Sequence, residues 1–182
     1  FCDPVNSYKF GAAYFLPANV PAAVELIDNG VTRVGTGIGF PFGAHRTEIK
    51  LYECEDAIDM GVEEIDVVIN IGALKSGNYA LVSNELSKIV SMASSFSVKS
   101  ILEVSYLSDE EIVTGAKISC DAGVDYVKTG TGFGTRATTI HDIELIIGAI
   151  GNRAAVKAAG GIKDIDMLLR MYRIGGRRVG VS

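Results

Sequence analysis

Short apolar runs recur along this chain, each followed by a longer stretch of helical periodicity, and this alternation constrains the fold more than any other feature. Seven runs read as strands, residues 11–16, 32–38, 64–71, 100–105, 124–128, 154–158 and 177–181. They are largely apolar on both faces, as expected of parallel strands covered on the outside and packed on the inside. Helical stretches fill the intervals at residues 21–29, 47–60, 79–96, 139–150 and 164–174, with Leu81, Leu86, Ile89, Val90 and Ala93 at helical spacing in the third. Ser108 and Glu111 form the two ends of a capping box before a further helix. Gly30, Gly61, Gly123, Gly151 and Gly175 stand where helices should stop, in left-handed C-terminal turns. Strands alternating with helices specify a mainly parallel α/β sheet. A right-handed crossover at every step leaves two solutions, an open doubly wound sheet or a closed barrel, and the loops must decide between them.

With 182 residues, 48% of them hydrophobic and 21% charged, and a mean hydropathy of +0.28, the chain has the profile of one core-rich domain spanning residues 1–182. A net charge of −5 and a pI near 5.1 argue against nucleic acid as a partner. No apolar run approaches the roughly 18 residues of a membrane span. Cys2, Cys54 and Cys120 lack metal-ligand spacing and read as free thiols of a reducing compartment, so no metal and a cytoplasmic location are expected. His45 and His141 are too far apart to suggest a ligand pair. The segment GTGIG at residues 35–39 lacks the spacing of a dinucleotide loop and does not open a helix.

In α/β barrels the working residues sit at the carboxyl ends of the strands. There this chain carries Lys128, before a glycine-rich loop, and Lys157, before another. Lysine is almost never buried without a partner or a task. On neighbouring strands the two ammonium groups would be close, and like charge together with desolvation would lower the titration point of one of them. A neutral amine can attack a carbonyl and form an iminium. The plain alternative is that both lysines pair with Asp66, Glu103 or Asp125. Asp66, between apolar neighbours, reads as a proton relay, a tuner of the lysines, or a buried ion-pair partner. Glu103 reads more as a structural charge partner. Gly160, Gly161 and Lys163 before a helix, and Gly180 and Ser182 at the end of the last strand, match the two loops between which barrels often hold phosphate, against the plainer reading of turn glycines.

These residues carry a resemblance. EIDVVINIGALKSG at 64–77, VKTGTGFG at 127–134, VKAAGGI at 156–162, IGFPFGA at 38–44 and LSDEE at 107–111 resemble, in order, motifs of the deoxyribose-phosphate aldolase family. The resemblance implies a TIM-type (β/α)8 barrel and the reversible cleavage of 2-deoxy-D-ribose 5-phosphate to D-glyceraldehyde 3-phosphate and acetaldehyde. It implies Lys128 as the Schiff-base lysine, Lys157 as the residue that depresses its pKa, and Asp66 in the proton relay. It places Gly132, Gly160, Gly161, Gly180 and Ser182 around the phosphate, calls for no cofactor and leaves room for a homodimer. The chain departs from the pattern in Tyr14, where cysteine is common, in Gly130, where serine is usual, and in Val104-Ser105, where Thr-Cys is frequent. Residues 1–9 resemble only the end of the helix that follows the family's first strand, so an incomplete barrel is expected, without that strand and a C-terminal segment. Two other readings stand beside this one, another Schiff-base barrel lyase and a catalytically inert barrel fragment.

Overall fold

The computed structural model describes residues 2–28 and 30–181. Its centre is one parallel sheet of seven strands in sequence order, β1 (Ala12–Phe15), β2 (Arg33–Ile38), β3 (Glu64–Val68), β4 (Ser97–Ile101), β5 (Tyr126–Lys128), β6 (Ala155–Ala158) and β7 (Gly176–Val179). Among the described residues eight α-helices accompany them: α1 (Cys2–Tyr8), α2 (Val20–Leu26), α3 (Thr47–Asp59), α4 (Ile71–Lys75), α5 (Tyr79–Met92), α6 (Asp109–Asp121), α7 (Ile140–Ile150) and α8 (Ile165–Arg173). None is long and apolar enough to cross a membrane.

Unbroken strand order is the barrel solution, because a doubly wound sheet reverses order at a switch point. The sheet curls until side chains meet across its hollow. Arg178 on β7 reaches Glu64 on β3, and Lys157 on β6 lies over the ring of Tyr14 on β1. The barrel is nevertheless open, with β1 and β7 as its edges, as the sequence led us to expect.

The two faces of the sheet differ sharply. Val34, Ile38, Ile65, Val67, Val98, Val127 and Val156 point outward into a common apolar layer with Leu86, Ile89, Ile112, Ile143 and Ile146 of the helices. Burying each such side chain is worth about 1.5–3 kcal/mol, so this layer holds the helices on the sheet. The inward face was expected to be largely apolar too, and it is not. Registers place Glu64, Asp66, Lys99, Tyr126, Lys128, Lys157 and Arg178 inside the curl. Opposite charges from different strands satisfy one another there, which is how a barrel interior tolerates them. Gly35 on β2 makes space for this layer, since a Cβ there would lie 2.6 Å from Cε1 of Tyr14.

Local expectations hold in most places. Both bonds of the Ser108–Glu111 capping box are formed, and the five glycines expected to end helices all have positive φ. Three strand limits move by three residues or more. β3 ends at Val68, and Asn70 instead caps α4 by accepting from the amide of Ala73. β4 begins three residues before the expected Ser100, because Val98 and Lys99 pair in register with Ile65 and Asp66. It stops at Ile101, and Glu103 turns the chain with φ of 55° into a short 3-10 turn at Val104–Tyr106.

Candidate active site

Three strands deliver three lysines to one carboxylate. Lys128 and Lys157 are register partners on β5 and β6. Their Nζ atoms donate to the same oxygen, Oδ2 of Asp66, at 2.7 and 2.8 Å. Lys99, one strand away on β4, lies 3.3 Å from the other oxygen, Oδ1. All four residues are buried. Because the two amines share one acceptor atom, they are held side by side.

Below Asp66, Glu64 collects a second set of cations. It accepts from Lys99 at 2.8 Å, from Arg178 at 2.6 and 2.7 Å and from the hydroxyl of Tyr14 at 2.8 Å, with Arg33 at 3.5 Å. Lys99 also donates to the Tyr14 hydroxyl at 2.7 Å. Lys99 thus joins the two carboxylates into one network that draws on all seven strands.

The charge states follow. Burial alone would push the Asp66 carboxyl up, but Lys128, Lys157 and Lys99 outweigh it and hold the group well below the usual carboxylate range. Burial draws the Lys157 ammonium down to about 8; Asp66 resists this, while Lys128 and Lys99 add to it. Lys157 can therefore exchange a proton close to neutrality.

Of the partners considered for the lysines, only Asp66 serves. Among the described residues Glu103 forms no ion pair with either lysine, although its charge supports that of Arg136. It accepts from the amide of Thr131 at 3.0 Å and from the Thr131 hydroxyl, and from Ser105 at 2.9 Å, so it fastens the loop after β5 to the end of β4. Asp125 accepts from the amide of Val98 at 2.9 Å. Thr129 and Thr138 donate to the carbonyl of Ala159 at 2.7 and 2.6 Å, tying the loop after β5 to the loop after β6.

The glycines expected around a phosphate are brought together in part. A Cβ on Gly160 would lie 3.6 Å from the amide nitrogen of Gly132, and one on Gly180 would lie 3.8 Å from Cε of Lys157. Gly161 turns instead against Ala137, where a Cβ would come within 2.6 Å. Lys163 is exposed, one residue before the Asp164 cap of α8, and Ser182 lies outside the described residues. His45 and His141 are surface residues paired with Glu53 and Asp109.

Sequence reasoning missed Lys99, Glu64, Tyr14 and Arg178. The signal for Lys99 was present, a lysine between two outward-facing residues, but it fell before the expected start of its strand.

Strand lysines gathered on a buried acid inside a parallel β/α barrel define an aldolase-like site, and the chain belongs to the DeoC/LacD aldolase family, whose model matches residues 30–177. Its relatives are more particular. The deoxyribose-phosphate aldolase of Bacteroides thetaiotaomicron is 43% identical over 183 residues, covering 100% of this chain and 77% of the relative. That of Thermococcus kodakarensis is 40% identical over 185 residues, covering 100% and 83%. Among solved structures, the tetrameric deoxyribose phosphate aldolase of Aeropyrum pernix superposes with a TM-score of 0.87 at 29% identity, covering 100% of this chain and 77% of that one. An aldolase designated QR15 gives 0.91 at 33% identity, covering 99% and 84%.

Proposed function

We propose that this chain is a class I aldolase that reversibly cleaves 2-deoxy-D-ribose 5-phosphate to D-glyceraldehyde 3-phosphate and acetaldehyde through a lysine Schiff base. The observation that carries this reading is the shared acceptor, with Nζ of Lys128 and Nζ of Lys157 both within 2.8 Å of Asp66 Oδ2.

Lys128 is the nucleophile in this scheme. Its amine adds to the aldehyde carbon of the open-chain sugar, and the adduct loses water to give an iminium. The iminium then accepts the electron pair of the C2–C3 bond as the proton of the C3 hydroxyl leaves, which releases glyceraldehyde 3-phosphate and leaves an enamine on Lys128. Protonation of the enamine carbon and hydrolysis return acetaldehyde and the free amine. Lys157, titrating at about 8, supplies and removes protons, and Asp66 holds it beside the reacting amine. Neither metal nor organic cofactor enters any step. Backbone amides around Gly132, Gly160, Gly161 and Gly180, with Lys163 and Ser182, would receive the phosphate. Positive φ at Gly132, Gly160 and Gly161 lets the backbone bend toward such a ligand. The reading takes the chain as one barrel domain acting on small phosphorylated sugars in the cytoplasm, with a homodimer as the assembly to test.

Lys157 is the second candidate nucleophile, favoured by its low titration point. Borohydride reduction in the presence of acetaldehyde, followed by peptide mass mapping, separates the two. An adduct on Lys128 is expected, an adduct on Lys157 would exchange the roles, and folded protein with no adduct would overturn the aldolase reading.

A further inference from the structure

Tyr14 has no place in the chemistry above, yet its ring lies against the lysine cluster. It points inward from β1 at the level of Gly35 and Glu64. Its hydroxyl accepts from Lys99 at 2.7 Å and donates to Glu64 at 2.8 Å, so the ring is pinned at its far end. The face of the pinned ring has Nζ of Lys157 3.7 Å from its centroid, whereas Lys99 and Lys128 stand off at 5.4 and 5.5 Å. An ammonium that close to an aromatic face is attracted by the negative charge of the π-cloud.

The surroundings of Lys157 give this contact its weight. Asp66 faces it from β3, Lys99 from β4, Lys128 from β5, Arg178 from its register position on β7, and the Tyr14 ring from β1. Burial, Lys128 and Lys99 all disfavour a charged Lys157. Among these groups, only the Asp66 carboxylate and the ring face favour it.

We propose that Tyr14 is a positioning residue whose ring, fixed by the Lys99–Glu64 pair, holds the Lys157 ammonium against Asp66 and so keeps Lys157 protonated at neutral pH. The inference rests on the proton-carrier role given to Lys157 above, but its test needs no substrate. Protein carrying lysine labelled at Cε and Nζ is titrated by NMR, with the Lys157 resonance assigned from Lys157→Arg. Tyr14→Phe retains the ring face but loses the two hydroxyl bonds that pin it, and should lower the Lys157 titration point by clearly less than Tyr14→Leu does. Tyr14→Leu keeps the site apolar but removes the π-face, and should lower that point by about one unit, the equivalent of one desolvated cation–π contact. Equal shifts in the two variants, or an upward shift in Tyr14→Leu, would overturn the proposal. Should Tyr14→Leu fail to fold, pentafluorophenylalanine at position 14 reverses the charge of the ring face at similar shape. It should also lower the titration point, and no change there refutes the inference. Because no aldehyde is present, these outcomes stand whichever lysine traps the substrate.

Discussion

Replacing Asp66 with asparagine keeps the shape of the side chain and removes the charge that three lysines share. At 2.7 and 2.8 Å each lysine–carboxylate pair is worth about 6 kcal/mol of gross Coulomb energy at an effective dielectric of about 20. Most of this offsets desolvation, and the net cost of leaving a buried cation without its partner is about 3–5 kcal/mol. The variant has a less costly state, because an amine can release its proton. Lys157 already titrates at about 8, with Asp66 holding it up. Removing about 3 kcal/mol of support corresponds to about two units, placing Lys157 at about 6 in Asp66→Asn. The destabilisation should therefore depend on pH. At pH 8 the amine is neutral in the variant and the loss is held to about 1 kcal/mol, whereas at pH 5 Lys157 must carry its proton unpaired and the loss rises to about 3 kcal/mol. In the wild type Asp66 remains ionised over this whole range, since its carboxyl lies well below the usual value. Urea unfolding of both proteins at pH 5, 6.5 and 8 measures the difference directly. A destabilisation that is flat across these pH values would refute the idea that Asp66 stabilises charge on Lys157.

Three further outcomes follow from the same geometry. The Lys157 titration point is lowered in the folded state from 10.5 to about 8, so the folded protein binds fewer protons between those values and this residue should make stability rise with pH there; in Lys157→Met that rise should be smaller by up to about 3 kcal/mol, read from denaturation at pH 7.5 and 10. Lys50 is fully buried and donates to Glu85 at 2.6 Å and to the carbonyl of Val68 at 2.8 Å; Lys50→Ala should cost about 3–5 kcal/mol by stranding Glu85, and a loss below about 1 kcal/mol in thermal or urea unfolding would contradict it. Gly35→Ala drives a methyl against the Tyr14 ring and should cost about 1–3 kcal/mol, measured as a drop in Tm, whereas the same change at Gly148, where a Cβ meets nothing within 4 Å, should cost no stability.

The alternation of strands with helices, the parallel sheet and the helix ends were legible in the sequence because they rest on local periodicity, caps and glycine turns. The neighbourhood of Lys128 and Lys157 was legible for a related reason, since consecutive strands of a parallel barrel lie side by side and both lysines stand at strand ends. Asp66 was legible as a charge inside an apolar strand. What local pattern cannot carry is register across strands. Lys99 joins the site only because β4 slides to pair it with Asp66, and Arg178 joins because a register shift at Val156 and Lys157 sets it opposite Lys157. Glu103 looked like an ion-pair partner because its strand was read three residues too late. It falls instead past the strand end, where the turn sends its carboxylate to Thr131 and Ser105. Lys50 stood in line with Cys54 and Ala57 along the buried side of α3, a helical spacing that could have shown it to be internal.

Lys128 and Lys157 lie 62 and 91 residues from Asp66 along the chain, and Glu64 finds Arg178 at a separation of 114. No hairpin or isolated strand–helix unit contains two of the lysines together with their acid. Wide loops must close before these contacts form, so they should come late and slowly as the chain acquires its shape. A partly folded molecule would then have scattered amines and no reactive one, and the ability to capture an aldehyde would mark the molecules that have finished folding.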